Sequence, residues 1–209
     1  GKTRLVMEAA SRLDPYLRLV SLSCRESEAA VAFAPLRDWL ERLCDIGPAC
    51  DPEQRQDHLA RCLAEWAPLA PADHRALARL LDREAEETAE HSLGQMQAAV
   101  RNLLRGVAPA ILLLVEDLQW ADEATRQLLE GLAAEAVPGL GMMWTARPEG
   151  GGPGSRLELA PLARPRVQEL VSCLADDAAW SAEDRERIAA TAEGNPLFAE
   201  ELVWLGDEA

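Results

Sequence analysis

The sequence predicts an α/β fold: a three-layer core around a parallel sheet, with a helical insertion and a C-terminal helical lid. Three observations carry this. First, Ile111 to Val115 is a run of five aliphatic residues that leads straight into Glu116 and Asp117. A run this short, without polar alternation, suits a parallel strand buried on both faces. Second, Leu17–Ser23 and Leu140–Ala146 read as two more short strands, and segments of helical period lie between all three. Strands alternating with helices build parallel sheets through crossover connections. Third, only helical patterns follow Pro161.

In chain order, Arg4–Leu13 reads as a helix continuing from Gly1-Lys2-Thr3 and ended by Pro15. Leu17–Ser23 is a strand bounded by Pro15 and the polar run Cys24–Glu28. Pro35 suits a first helical position, and Leu36, Trp39, Leu40 and Leu43 recur at helical spacing until Gly47-Pro48. Helical patterns fill Pro52–Gly106, with breaks at Pro68–Pro71 and near Glu84–Glu90. The acidic run Glu84-Ala85-Glu86-Glu87 reads as a solvated helix face or a loop. With no convincing strand, residues 33–106 read as a helical insertion between two strands of the sheet.

Ala110–Val115 is the buried strand, and Asp122 can cap a helix over Glu123–Ala136, ended by Pro138-Gly139. The strand Leu140–Ala146 closes at Arg147-Pro148, and Glu149–Ser155 is a flexible, glycine-rich loop. Leu157-Glu158-Leu159 reads as a short terminal strand before Pro161. Helices follow over Arg166–Leu174, Ala182–Ala192 and Pro196–Leu205; Ser181, with Asp184 three residues on, is a good N-cap. The expected boundaries are a core over residues 1–160 and a lid over 161–209.

The chain's 209 residues suffice for one domain with an appended subdomain. A net charge of -15 argues against nucleic acid or an anionic membrane as a partner. Neither a membrane-length apolar stretch nor a signal peptide is visible, so the cytoplasm is the expected location. The five cysteines form no C-x-x-C pair, and His58, His74 and His91 share no ligand spacing. Neither zinc nor a disulfide framework is expected. The tryptophans are scattered and suit core packing; Trp120 stands apart because it follows the acidic pair so closely. The chain begins with Gly, inside a recognisable motif, which suggests a segment of a longer protein.

In open α/β sheets, ligands bind beyond the carboxyl ends of the strands, where Glu116 and Asp117 stand. One carboxylate there can hold Mg²⁺ and the other can orient an attacking water, the pattern of a Walker B motif. Adjacent side chains on a strand point apart, so the two acids should not share one role. Acids closing a strand beside a helix cap are also common without any catalytic duty. Gly1-Lys2-Thr3 has the identity and order of the end of a Walker A motif, with a lysine for phosphate and a hydroxyl for Mg²⁺. It also stands where a helix begins, which favours anions, although G-K-T alone is equally an ordinary helix start. Arg147, closing the next strand, suits contact with a γ-phosphate or plain exposure. Gly194-Asn195-Pro196 is by default a corner between two helices.

Together these residues resemble the signal-transduction P-loop NTPases called STAND. More narrowly, the chain is similar to the AAA-like ATPase domain of large LuxR-type transcription regulators and of bacterial class III adenylate/guanylate cyclases. The resemblance rests on G-K-T-R-L-V at Gly1–Val6, C-R-E-S-E…F-A-P-L at Cys24–Leu36, and L-L-L-V-E-D-L-Q-W-A-D at Leu112–Asp122. T-A-R-P-E at Thr145–Glu149 and E-G-N-P-L-F-A-E-E-L-V at Glu193–Val203 complete it. It implies ATP and Mg²⁺ as cofactors, with Gly1, Lys2 and Thr3 on the phosphates and Thr3 and Glu116 on the metal. Asp117 would be the catalytic acid, Arg147 the sensor arginine, and Pro196 the lid proline near adenine, its turn shaped by Gly194. It further implies an ATP-driven conformational switch with slow hydrolysis, partnered by self-association or by effector domains of a larger protein. A P-loop small-molecule kinase and a non-hydrolysing interaction module are the alternatives. Without the upstream glycines of a P-loop, the segment as written is expected to bind nucleotide weakly or not at all.

Overall fold

Five aliphatic side chains in a row cannot all face one side of a strand, so the run Ile111–Val115 needs cover on both faces. In the computed structural model, which describes residues 1–13, 17–66, 69–81, 93–174 and 180–207, this run forms the middle strand of a sheet. The strands are β1 (Arg18–Ser23), β2 (Ile111–Glu116) and β3 (Leu140–Trp144), in the order β1-β2-β3. Both pairings are parallel, with Ser23 opposite Glu116 and Trp144 opposite Val115. Every residue from Ile111 to Val115 is buried. Burying one such side chain contributes about 1.5–3 kcal/mol. The architecture is therefore mixed α/β with a parallel sheet, as expected.

The helices are α1 (Lys2–Ser11), α2 (Ala34–Leu43), α3 (Pro52–Trp66), α4 (Pro71–Leu81), α5 (Leu93–Val107) and α6 (Glu123–Ala134), then α7 (Arg164–Leu174), α8 (Ala182–Thr191) and α9 (Pro196–Asp207). Two 3₁₀ turns sit at Glu26–Glu28 and Leu118–Trp120. Helices α2–α5 occupy the expected insertion between β1 and β2. Pro15, Pro68 and the stretch Glu84–Glu90 with its acidic run lie outside the described residues.

The chain divides into two compact units. Ala10–Arg156 is one; Gly1–Ala9 and Leu157–Ala209 make up the other. In the first, Val20 and Leu22 of β1 and Ile111, Leu113 and Val115 of β2 share a core with Leu40, Leu59, Leu77, Met96, Leu103 and Leu128 from the helices. In the second, Val167, Val171, Ile188, Ala189, Ala199 and Val203 form a small core of α7, α8 and α9. Ser181 caps α8, accepting from the Asp184 backbone N–H at 3.1 Å.

One expected element is absent. Leu157–Leu159 joins no ladder, and Leu157 is 78% exposed. Period-2 alternation over three residues does not supply a partner, and a lone strand has none of its backbone groups satisfied by a sheet. The chain is instead fastened further on, where the Leu162 N–H donates to the Gly194 carbonyl at 2.8 Å. Gly194 sits at φ +83, and a side chain there would meet Pro161 and Leu162. Among the described residues no helix is long and apolar enough to cross a membrane.

Candidate functional site

Glu116 is the last residue of β2, at the carboxyl edge of the sheet. The parallel register sets Ser23 of β1 beside it. The Ser21 and Ser23 hydroxyls donate to Glu116 Oε2 at 3.3 and 3.4 Å. These contacts are long, so they steer a half-buried carboxylate toward β1 without fixing it tightly.

Asp117 leaves the strand. Its backbone is left-handed, φ 54 and ψ 47, a conformation that aspartate tolerates better than most residues. The Asp117 N–H donates to Thr145 Oγ1 at 3.1 Å, and its carbonyl accepts from the Trp120 N–H at 2.8 Å. Gln119 Nε2 donates to its carboxylate at 3.2 Å. The two adjacent carboxylates thus have different neighbours, Glu116 the serines of β1 and the exposed Asp117 the Gln119 amide of its own turn. The strand ends at Glu116 and Asp117 opens the turn that follows, where the sequence suggested strand alternation.

The end of β3 is tied to the same turn. The Leu118 N–H donates to the Thr145 carbonyl at 2.9 Å, and the Arg147 N–H to Gln119 Oε1 at 3.0 Å. The Arg147 guanidinium stands over the Trp120 ring, 5.4 Å from its centroid. Such a contact at an exposed site contributes about 0.5–1 kcal/mol. Arg126 of α6 donates to the Leu118 carbonyl at 3.1 Å. Gln119, Trp120, Arg126, Arg147, Glu149 and Gly150 line an open concavity of about 370 Å³. Two guanidinium groups, Arg126 and Arg147, and the Glu149 side chain stand at its wall.

Asp122 has another task. It is 5% exposed, and its carboxylate accepts from the Thr125 N–H at 2.8 Å and the Thr125 hydroxyl at 2.6 Å, capping α6. It also accepts from the Phe33 N–H at 3.1 Å, across 89 residues. Phe33 is itself left-handed, φ 56, at the start of α2. One carboxylate thereby joins F-A-P-L to W-A-D and holds α2 and α6 at the sheet edge. Burial, with Asp122 and Asp117 nearby, pushes the Cys24 thiol up to about 12, so Cys24 is an uncharged core residue.

The remaining expected site residues belong to the second unit. Lys2 and Thr3 are exposed at the start of α1, and the Gly1 carbonyl accepts from the Leu5 N–H at 3.0 Å. A side chain built on Gly1 would come within 3.8 Å of Pro196 Cγ, so Gly1 and Pro196 are neighbours. Asn195 Oδ1 accepts from the Leu197 N–H at 3.1 Å, capping α9 one residue before Pro196.

The sequence profile of the AAA ATPase domain family matches residues 1–144. The chain belongs to the AAA ATPase domain family. The match takes in Gly1-Lys2-Thr3, all three strands, Glu116 and Asp117, and stops short of Arg147 and Pro196. No curated protein and no solved structure matches the chain. Membership makes this a nucleotide-binding ATPase module.

Within this AAA ATPase domain, sequence reasoning passed over Ser21, Ser23, Gln119, Arg126 and Asn195. The serines alternate along β1, a visible signal, but their meeting with Glu116 depends on strand register. Gln119 lies inside L-L-L-V-E-D-L-Q-W-A-D and carries no feature in the sequence that separates it from a surface glutamine. Asn195 before Pro196 was a legible cap signal.

Proposed function

We propose that this AAA ATPase domain is the ATP-driven switch of a larger regulatory protein, of the kind found in STAND transcription regulators and cyclases. The observation that carries the reading is the divergence of Glu116 and Asp117 at the carboxyl end of the central strand. Two acids with separate neighbours suit two separate duties, one toward metal and one toward water.

The residues fit a Mg²⁺–nucleotide. Mg²⁺ is usually held by one or two carboxylates together with phosphate oxygens and waters. Glu116, half-buried beside two hydroxyls, is such a donor. In this reading Lys2 binds phosphate oxygens, and Thr3 and Glu116 stand on the metal side, as the motif order implies. Bound Mg²⁺ would neutralise charge developing on the phosphates. The exposed carboxylate of Asp117 accepts a hydrogen bond from water and orients it. Arg147, resting on Trp120, reports the phosphate, and Pro196 packs against the base. Slow hydrolysis then times a conformational switch that self-association or effector domains read out.

The test is Mg-ATP binding and phosphate release by the full-length protein. Binding is expected to disappear in Lys2→Ala; unaltered binding in that variant refutes the phosphate-site assignment. Binding without phosphate release, unchanged by Asp117→Asn, favours a non-hydrolysing interaction module. Phosphate transfer to a metabolite favours a small-molecule kinase.

A further inference from the structure

Gln119 touches both ends of the proposed machinery. Its Oε1 accepts from the Arg147 N–H at 3.0 Å, and its Nε2 donates to Asp117 Oδ1 at 3.2 Å. Chemistry fixes which end is which. A backbone N–H only donates, so the oxygen must face Arg147; the amide nitrogen is then left to donate to the Asp117 carboxylate oxygen. The amide offers one acceptor and one donor on a single rigid plane.

The same turn grips the Gln119 backbone. The Gly150 N–H donates to the Arg147 carbonyl at 2.9 Å, closing a turn over residues 147–150. A β-carbon at Gly150 would lie 2.6 Å from Gln119 Cβ and 3.1 Å from its Cα. Only glycine allows this approach. Gln119 is therefore held at its side-chain oxygen by Arg147 and against its main chain by Gly150.

We infer that Gln119 is a positioning residue that sets the Asp117 carboxylate according to where the Arg147–Gly150 turn lies. The inference rests on the reading of Asp117 as the residue that orients water. It adds a mechanical link: a ligand that draws on Arg147 displaces the backbone N–H that holds Gln119, and Gln119 carries the displacement to Asp117. The arginine and the acid then respond as one device.

The experiment measures kcat and KM for ATP hydrolysis by the full-length protein in four variants: Gln119→Leu, Gln119→Glu, Asp117→Asn and the double variant Gln119→Leu/Asp117→Asn. Asn tolerates the left-handed backbone at 117, so Asp117→Asn removes charge with little strain. Gln119→Leu is expected to lower kcat by roughly 10- to 100-fold, as misplacement of a catalytic group by a fraction of an ångström to an ångström does, with KM nearly unchanged. Gln119→Glu keeps the acceptor for Arg147 but sets a second carboxylate against Asp117, and is expected to fall as far. The double variant should be no slower than Asp117→Asn alone. A wild-type kcat in Gln119→Leu, an equal loss through KM, or multiplying losses in the double variant overturns the inference. If Asp117→Asn hydrolyses at the wild-type rate, the reading of Asp117 fails first, and the inference with it. Should circular dichroism show Gln119→Leu unfolded, Gln119→Glu and Gly150→Ala carry the test, both expected to lower kcat, and wild-type kcat in both overturns it.

Discussion

Replacing Asp122 by alanine removes a single carboxylate that serves two helices. The loss can be worked from its bonds. Capping of α6 through the Thr125 N–H at 2.8 Å is worth about 1 kcal/mol. The Phe33 N–H, buried and 3.1 Å from the same oxygen, is left without its acceptor, at about 1–3 kcal/mol. The Thr125 hydroxyl can turn to a carbonyl one turn back and is left out of the sum. The expected loss is about 2–4 kcal/mol, a large part of the stability of an ordinary domain. With a urea slope of about 2 kcal/mol per M, the midpoint should fall by about 1–2 M. The assay is urea unfolding followed by far-UV circular dichroism, with the slope required to stay constant. Asp122→Asn keeps an oxygen for both backbone N–H groups and should lose less than half as much. A midpoint unchanged in Asp122→Ala, or an equal loss in both variants, refutes the idea that one carboxylate braces Phe33 and α6 together.

Other outcomes follow from the same structure. Thiolates, not thiols, react with iodoacetamide, so at neutral pH the exposed Cys173 should be alkylated while Cys24, Cys44 and Cys62, raised chiefly by burial, react only after unfolding. Peptide mass mapping reads this, and labelling of Cys24 as fast as Cys173 counts against it. The Gln168 amide and then the Arg164 guanidinium hold Glu186 below the usual glutamate range. A depressed carboxylate stabilises above its unfolded value and loses that contribution as pH falls through the folded one. The C-terminal helices should therefore melt earlier in acid, and Glu186→Gln should flatten that acid limb of Tm against pH; an unaltered limb refutes the assignment. Ser21→Ala/Ser23→Ala should leave the fold intact yet weaken Mg²⁺-dependent nucleotide binding by roughly 10-fold, about 1.4 kcal/mol, in a titration against Mg²⁺. Equal binding with and without the hydroxyls removes the serines from the site.

The order of strands and helices was legible in the sequence because its causes are local. Five aliphatic residues ending in acids suit a strand buried on both faces. Asp122 and Ser181 announced helix starts because a cap bonds an N–H within three residues. Where the cause was not local, the sequence was silent or misleading. Leu157–Leu159 alternates like a strand, yet a strand exists only beside another, and among the described residues none pairs with it. Ser23 faces Glu116 because of parallel register over 93 residues of separation. Phe33 meets Asp122 because two helices start at the same sheet edge. Gln119 meets Asp117 within its own turn, but it acquires Arg147 only once the end of β3 lies against the turn after β2. The sequence by itself determined which chemical groups stand at the carboxyl edge of the sheet. Tertiary structure decided which of them touch, because hydrogen bonds reach about 3 Å, and only folding brings residues far apart in the chain within that distance.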